Sequence, residues 1–334
     1  MKKNPFLSQT ELSDRLKRAK KLEEHLQTQI IGQDIILPAF CRTIRYGWCQ
    51  LNTPGRPRGT MFLLGPTGTG KTESVRAAVE FMYGDPDSHF LRLDMSEFSR
   101  QAGEEALINL IGAPGGKSQG RLGDFLLANN EGVILYDEIE KSHPQIFTIL
   151  LQQLDAARIT LSNNQTYDLS NFFLIATSNI GAHIFQHVRH LSDRRLEQSL
   201  EMQLKERFSP EFVARFGKMN HEILIFRPLQ PEHLRKIAAK FLNYYLPQYR
   251  PYGIEIKGYS TDTVEEVLRC IDNTRNGARE LRSTIERQLR DFAYRLLSSQ
   301  QTPISGYLDV SPESSGLFQV NNNPLPEKEY HHVD

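Results

Sequence analysis

Two observations predict an α/β fold built on a parallel sheet, and a third predicts a smaller, mainly α-helical domain after it. Five short apolar runs, at residues 60–65, 89–94, 132–137, 171–178 and 221–226, alternate with stretches of helical periodicity. The connections between them are long enough for crossover helices, which parallel pairing requires. After Arg227-Pro228 the composition turns helical. Helices are expected there at 231–246, 261–272 and 278–298, with short strands at 253–257, 306–310 and 317–320.

Ahead of the first strand, Leu12, Leu16, Ala19, Leu22 and Leu26 recur at helical spacing behind Ser13, which predicts one amphipathic helix over 13–28. Its basic run, residues 17–21, reads as a solvated face or a polybasic docking patch. A second helix is expected at about 33–49, with Cys41 and Cys49 two turns apart on its packed face. The Pro- and Gly-rich residues 52–59 form a loop. Between the third and fourth strands, the alternation around Asn163-Asn164 predicts a hairpin. Beyond about residue 321 the sequence is polar and proline-broken, and is expected to be a flexible tail.

Composition narrows the function classes. Forty Lys and Arg balance 40 Asp and Glu, so any polyanion site must be local rather than a property of the whole surface. The three cysteines, Cys41, Cys49 and Cys270, are too few and scattered for a disulfide framework or a four-ligand zinc site. Neither a secretory h-region nor an 18-residue apolar run is present, so a cytoplasmic protein without membrane spans is expected.

The first strand runs into Gly65-Pro66-Thr67-Gly68-Thr69-Gly70-Lys71-Thr72, the phosphate-binding loop pattern, and a helical pattern follows. Backbone N–H groups of this loop can point at phosphates, Lys71 can reach the outer ones, and the Thr72 hydroxyl suits Mg²⁺. The third strand ends in Asp137-Glu138. On a strand beside the loop, Asp137 is placed for the metal and Glu138 for polarising a water. ATP and Mg²⁺ are the expected substrate and cofactor. Asn179 closes the fourth strand, where its amide can hydrogen-bond a water near the outer phosphate.

Taken together, GPTGTGKT (65–72), LYDEIEKSHPQIF (135–147), LLQQLD (150–155), IATSNIGA (175–182) and GARELRSTIE (277–286) resemble the Clp-type AAA+ ATPases from about Ile30 to Val310. The likeness is greatest to the second ATPase domain of the ring-forming ClpB and ClpA disaggregases and unfoldases. The expectation is a stand-alone ring without their N-domain or first ATPase domain. The resemblance implies a P-loop AAA+ fold with sheet order 5-1-4-3-2, an α-helical lid, and a homo-oligomer, usually a hexamer, binding ATP between subunits. The domains are then a lead-in at 1–58, a nucleotide-binding domain at 59–227, a lid at 228–320 and the tail at 321–334.

Position by position, Ile30, Ile31, Gly32 and Gln33 match the family's adenine-contacting stretch, and Asn179 its polar sensor. Arg279 matches the lid sensor and Arg215 the arginine lent across the subunit interface. For either arginine, a surface salt bridge is the other reading. The chain departs from the family in the loop after IGAP (111–114), where Lys117, Ser118 and Gln119 replace the aromatic-aliphatic pair that grips polypeptide in the pore. Lys117 and Arg121 read first as solvated loop charges, with an acidic partner or a phosphate backbone as the other reading. The peptidase-docking loop is missing between Asn179 and Phe208, so no ClpP-like partner is expected. His183, His187 and His190 invite a metal or an amphipathic-face reading. The functional expectation is a ring that remodels a protein client. The alternative is an ATP-controlled switch or scaffold assembling on nucleic acid or a partner protein.

Overall fold

The computed structural model describes residues 7–99, 103–113, 119–162, 164–186, 193–219, 221–271, 277–310, 318–321 and 330–333. The chain divides into two units, Met1–Pro66 with Gly70–Arg227 and Thr67–Thr69 with Pro228–Asp334. Among the described residues, no helix is long and apolar enough to cross a membrane.

The first unit opens with helices α1 (Gln9–Ala19), α2 (Leu22–Gln29) and α3 (Leu37–Trp48). One helix was expected over 13–28, and two are found. Ser8 and Glu11 form a reciprocal capping box, so α1 starts well before Ser13. The chain then turns at Lys20-Lys21, which lets α1 pack on α3 while Leu22 and Leu26 of α2 are wholly buried. The next helix starts at Leu37 rather than near 33 because Pro38 occupies its first turn. Cys41 and Cys49 are buried as expected, and burial pushes the Cys41 thiol up to about 12.

The strands of this unit are β1 (Gly59–Leu64), β2 (Phe90–Asp94), β3 (Gly132–Asp137), the hairpin pair β4 (Arg158–Thr160) and β5 (Thr166–Asp168), β6 (Phe172–Ser178) and β7 (Ile223–Ile225). Five of them make one parallel sheet in the order β2-β3-β6-β1-β7. The hairpin β4-β5 stands apart, so counting only the sheet's strands along the chain gives 2-3-4-1-5, or 5-1-4-3-2 from the other edge. Every residue of β3 and β6 is buried, as central strands covered on both faces must be. Successive side chains alternate between two cores. Phe62 and Leu64 join Phe208, Phe212 and Phe216 on one face, whereas Met61 and Leu63 join Phe40, Trp48 and Val79 on the other.

The flanking helices are α4 (Lys71–Tyr83), α5 (Pro86–His89), α6 (Gly103–Ile111), α7 (Gly120–Ala128), α8 (Pro144–Ala156), α9 (Asp193–Arg207) and α10 (Pro210–Phe216). Because β1, β2, β3 and β6 are parallel, their carboxyl ends lie along one edge, where Gly65, Asp94, Asp137 and Asn179 follow or finish them. In open α/β sheets that edge is where ligands bind.

The second unit contains α11 (Pro231–Tyr245), β8 (Ile254–Ser260), α12 (Thr261–Arg269), α13 (Gly277–Ser298), β9 (Ile304–Val310), β10 (Phe318–Asn321) and β11 (Tyr330–His332). Its strands form a four-stranded sheet, β10-β9-β8-β11. The reading of 321–334 as a flexible tail is therefore corrected at its end. β11 pairs antiparallel with β8, and His331 stacks on the buried Tyr259. An edge strand's unpaired backbone groups are satisfied by such an addition.

Candidate active site

The phosphate loop lies between β1 and α4. At Gly65 a Cβ would stand 2.2 Å from the Phe226 carbonyl oxygen, so only glycine lets the loop leave the sheet beside the chain that follows β7. Gly70 caps α4 with φ 100°, and a Cβ there would meet nothing nearer than Ile30 Cγ2 at 3.9 Å. Open space thus borders the loop next to the Ile30–Gln33 stretch. Within that stretch Ile30 is buried and Ile31 and Gly32 are half-buried. The buried Gln33 amide donates to the Arg227 carbonyl (2.9 Å) and accepts from the Arg227 N–H (3.1 Å). It ties the segment to the end of the first unit.

Lys71 is buried, and its Nζ donates to the carbonyls of Gly65 (2.7 Å) and Pro66 (2.8 Å) and to Asn179 Oδ1 (2.9 Å). The other end of the Asn179 amide donates from Nδ2 to Glu138 Oε1 at 2.9 Å. A continuous polar chain therefore joins the phosphate loop, the end of β6 and the residue after β3. The Asn179 N–H itself donates to Glu140 Oε1 at 3.0 Å.

Asp137 is buried, and its carboxylate accepts hydrogen bonds from three elements. Thr72 Oγ1 lies 3.2 Å from both oxygens, the Thr177 hydroxyl donates to Oδ1, and Arg92 on β2 places Nε 2.8 Å and Nη2 2.6 Å from Oδ2. Glu138 has left-handed backbone angles, φ 57° and ψ 51°. For a residue other than glycine this costs on the order of 1 kcal/mol or more and is typical of functional positions. The Glu138 N–H donates to Thr177 Oγ1 (2.9 Å), and its carboxylate pairs with Lys141 as well as Asn179.

A hydroxyl beside a carboxylate is the donor set a hard divalent cation takes together with phosphate oxygens. With a lysine and a glycine turn opposite, these residues fit ATP and Mg²⁺. The structure brings Lys71, Thr72, Asp137, Glu138 and Asn179 together. It does not bring Arg215 to them. Arg215, on α10, pairs through Nε with Asp155 Oδ1 (2.5 Å) and more weakly with Glu211 (3.5 Å). Arg279 stands in the first turn of α13, and Thr67–Thr69 group with its unit.

Other expectations are corrected or fall outside the description. Arg121 keeps a solvent-exposed side chain, 44% accessible, within a surface ion pair. Its guanidinium donates to Glu97 (2.6 Å) and to the Arg92 carbonyl (3.1 Å) and lies 5.8 Å from the Phe98 ring centroid. Gln119 accepts from the Tyr167 hydroxyl, while Lys117 and Ser118 lie outside the described residues. So do His187 and His190. His183 contacts Gln203 at 2.7 Å, and among the described residues no group of three or more His, Cys, Asp or Glu side chains can hold a metal.

Sequence reading missed Arg92, Thr177 and Glu140. The available signals were an arginine in the middle of an apolar strand and a threonine two residues before Asn179.

Comparison with known proteins agrees with this geometry. The model of the AAA domain (Cdc48 subfamily) matches residues 56–219. The chaperone protein ClpB of Rhodopirellula baltica is 35% identical over 284 residues, covering 82% of this chain and 31% of that protein. Chloroplastic ClpC1 of Oryza sativa subsp. japonica is 32% identical over 336 residues, covering 94% of this chain and 35% of that protein. A cryo-EM reconstruction of Hsp104 in a closed state, with ATPγS and FITC casein, superposes with a TM-score of 0.78 at 25% identity, covering 94% of this chain and 53% of that one. The chain thus spans about a third of the length of these curated relatives. The family model lies across both the phosphate loop and the strand ending in Asp137-Glu138, and the ClpC1 likeness continues through the second unit, so this chain belongs to the Clp-type AAA+ ATPases.

Proposed function

We propose that this ATPase hydrolyses Mg·ATP at the carboxyl edge of the first unit's sheet and uses the cycle, in a hexameric ring of identical chains, to remodel a protein client. The observation that carries the reading is the chain Lys71–Asn179–Glu138, with both links at 2.9 Å. It sets a phosphate-binding cation, a water-orienting amide and a general base in sequence.

In this reading Gly65–Thr72 cradles the phosphates, Lys71 turns from the loop carbonyls to the outer phosphates, and Ile30–Gln33 borders the adenine. Thr72 and Asp137 hold Mg²⁺, which when bound offsets phosphate charge. Glu138 takes the proton of the attacking water while Asn179 fixes the water's position. Arg279 contacts the nucleotide from the lid, and Arg215 acts in the neighbouring subunit's site. The sequence after IGAP favours handling of that client without an aromatic grip.

Two substitutions test the assignment. Lys71→Ala should abolish nucleotide binding. Glu138→Gln should bind ATP normally yet lose turnover by about 10²–10⁴-fold, the usual value of a positioned base. Calorimetry and phosphate release measure the two effects. Near-normal hydrolysis by the Glu138 variant would remove it from the mechanism.

A further inference from the structure

Arg92 is the one strongly polar side chain in the middle of β2, and its register explains where it goes. It pairs with Leu135 on β3, two residues before Asp137. Residues i and i+2 of a strand share a face, so a long side chain at 92 running along the strand reaches the carboxylate diagonally opposite. Its starting point is fixed, because the Arg92 carbonyl accepts from Arg121 at 3.1 Å.

The contact is asymmetric in a way that suggests its purpose. Arg92 is 46% exposed at the side chain and Asp137 is 6% exposed. Water already satisfies much of the guanidinium, so the arginine gains little from the pair. The carboxylate is cut off from water and depends on its donors. Arg92 supplies two of them, both to Oδ2, at 2.8 and 2.6 Å. The Thr177 hydroxyl takes Oδ1, and Thr72 Oγ1 faces the carboxylate at 3.2 Å from both oxygens.

We propose that Arg92 is a positioning residue for the metal site: by gripping Oδ2 it holds the Asp137 carboxylate in the orientation that faces Thr72, so Mg²⁺ meets a carboxylate already aimed. The proposal rests on the reading of Asp137 as the metal carboxylate. A cation near Mg²⁺ also repels it, and the two effects oppose each other. The repulsion is screened because half of the guanidinium lies in solvent, whereas the two N–H groups act directly on a buried oxygen. Orientation therefore outweighs repulsion.

The test is a Mg²⁺ titration of fluorescent ATP-analogue binding to the full chain, with no turnover required. Arg92→Gln should raise the half-saturating Mg²⁺ concentration about tenfold, the low end for losing a partner of a metal ligand. Binding of the analogue in EDTA should stay at the wild-type value. Arg92→Lys keeps the charge but cannot set two donors on one oxygen, and should raise it about threefold. It carries the same test if the Gln variant does not fold. Adding Arg92→Gln to Asp137→Asn should raise the Mg²⁺ requirement no further, since both act through one carboxylate.

An unchanged or lowered Mg²⁺ requirement in the Arg92 variants, with Asp137→Asn still raising it, overturns the proposal alone. If Asp137→Asn leaves the Mg²⁺ dependence untouched, the reading of Asp137 fails first and the proposal falls with it.

Discussion

Two arginine-carboxylate groups in the first unit use the same chemistry in different surroundings. Arg58, with a side chain 2% exposed, pairs with Glu131, which also takes two bonds from Arg15 at 2.8 and 3.1 Å. Arg215 pairs with Asp155, and both are more than a third exposed. The first group stands at the residue just before β3 begins, and ties α1 to the strand that must carry Asp137 to its far end. The second lies on the surface, between the last turns of α8 and α10. A buried pair cannot open without stranding a charge, whereas an exposed one exchanges its partner for water or another anion at little cost. The same strand is thus anchored at one end by buried charge and ends at the other in Asp137, the proposed metal carboxylate. An arginine required to act on a neighbour must come from the exposed class.

The largest effect expected from breaking this contrast is at Glu131. Glu131→Ala leaves the Arg58 guanidinium buried without its counter-charge and should cost about 3–5 kcal/mol of stability. Denaturant unfolding measures it. Burial pushes the Glu131 carboxyl up, but the bonds and charges of Arg15 and Arg58 outweigh it and hold the value below the ordinary range. A carboxyl depressed in the folded state contributes stability above its unfolded value and loses it as pH falls through the folded one. Wild type should therefore lose part of its advantage over the Ala variant only at acid pH, below about 4.3. A constant difference down to pH 3 would show that the charge pair is not its source.

Arg215→Ala should behave in the opposite way. Losing an exposed pair costs less than about 1 kcal/mol, so folding should be nearly unchanged. Turnover in the assembled ring should fall by about 10³-fold, the low end for an arginine that offsets charge on the transferred phosphoryl group. Mixing Arg215→Ala subunits with Glu138→Gln subunits should restore part of the activity, at interfaces where both residues are native. A monomer fully active at high dilution would exclude action across an interface.

These contrasts also mark how far the sequence could be read. The phosphate loop and Asp137-Glu138 were legible because their chemistry is local: glycines and a lysine within eight residues, and two carboxylates at the end of an apolar run. Asn179 was legible because it ends the neighbouring strand. Arg92 was not, since its partner lies 45 residues away and only strand register brings them together. Nor were the partners of Arg121 legible, since Glu97 and the Arg92 carbonyl come beside it only in the fold. The division of residues 13–28 into two helices was hidden because both pack on α3, so the apolar periodicity runs on across the turn at Lys20-Lys21. β11 went unread because three residues pairing with β8 leave no pattern of their own.

The smallest expected effect is at Asp155, and it decides what the exposed pair is for. Asp155 accepts from Arg215 at 2.5 Å and from Arg56 at 3.3 Å. If it only occupies Arg215 within the subunit, the arginine must release it to act on a neighbour. Asp155→Asn should then leave turnover within about twofold and cost less than about 1 kcal/mol of stability, as exposed pairs do. If instead Asp155 holds the guanidinium in its working direction, the same substitution should lower turnover tenfold or more while stability stays put. Asp155→Glu, which keeps the charge one methylene farther out, should then recover part of the loss. Steady-state hydrolysis by the assembled ring, read beside the thermal midpoint of each variant, separates the two. A tenfold loss in the Asn variant would move Asp155 from the surface group to the catalytic one, and the boundary between the two regions with it.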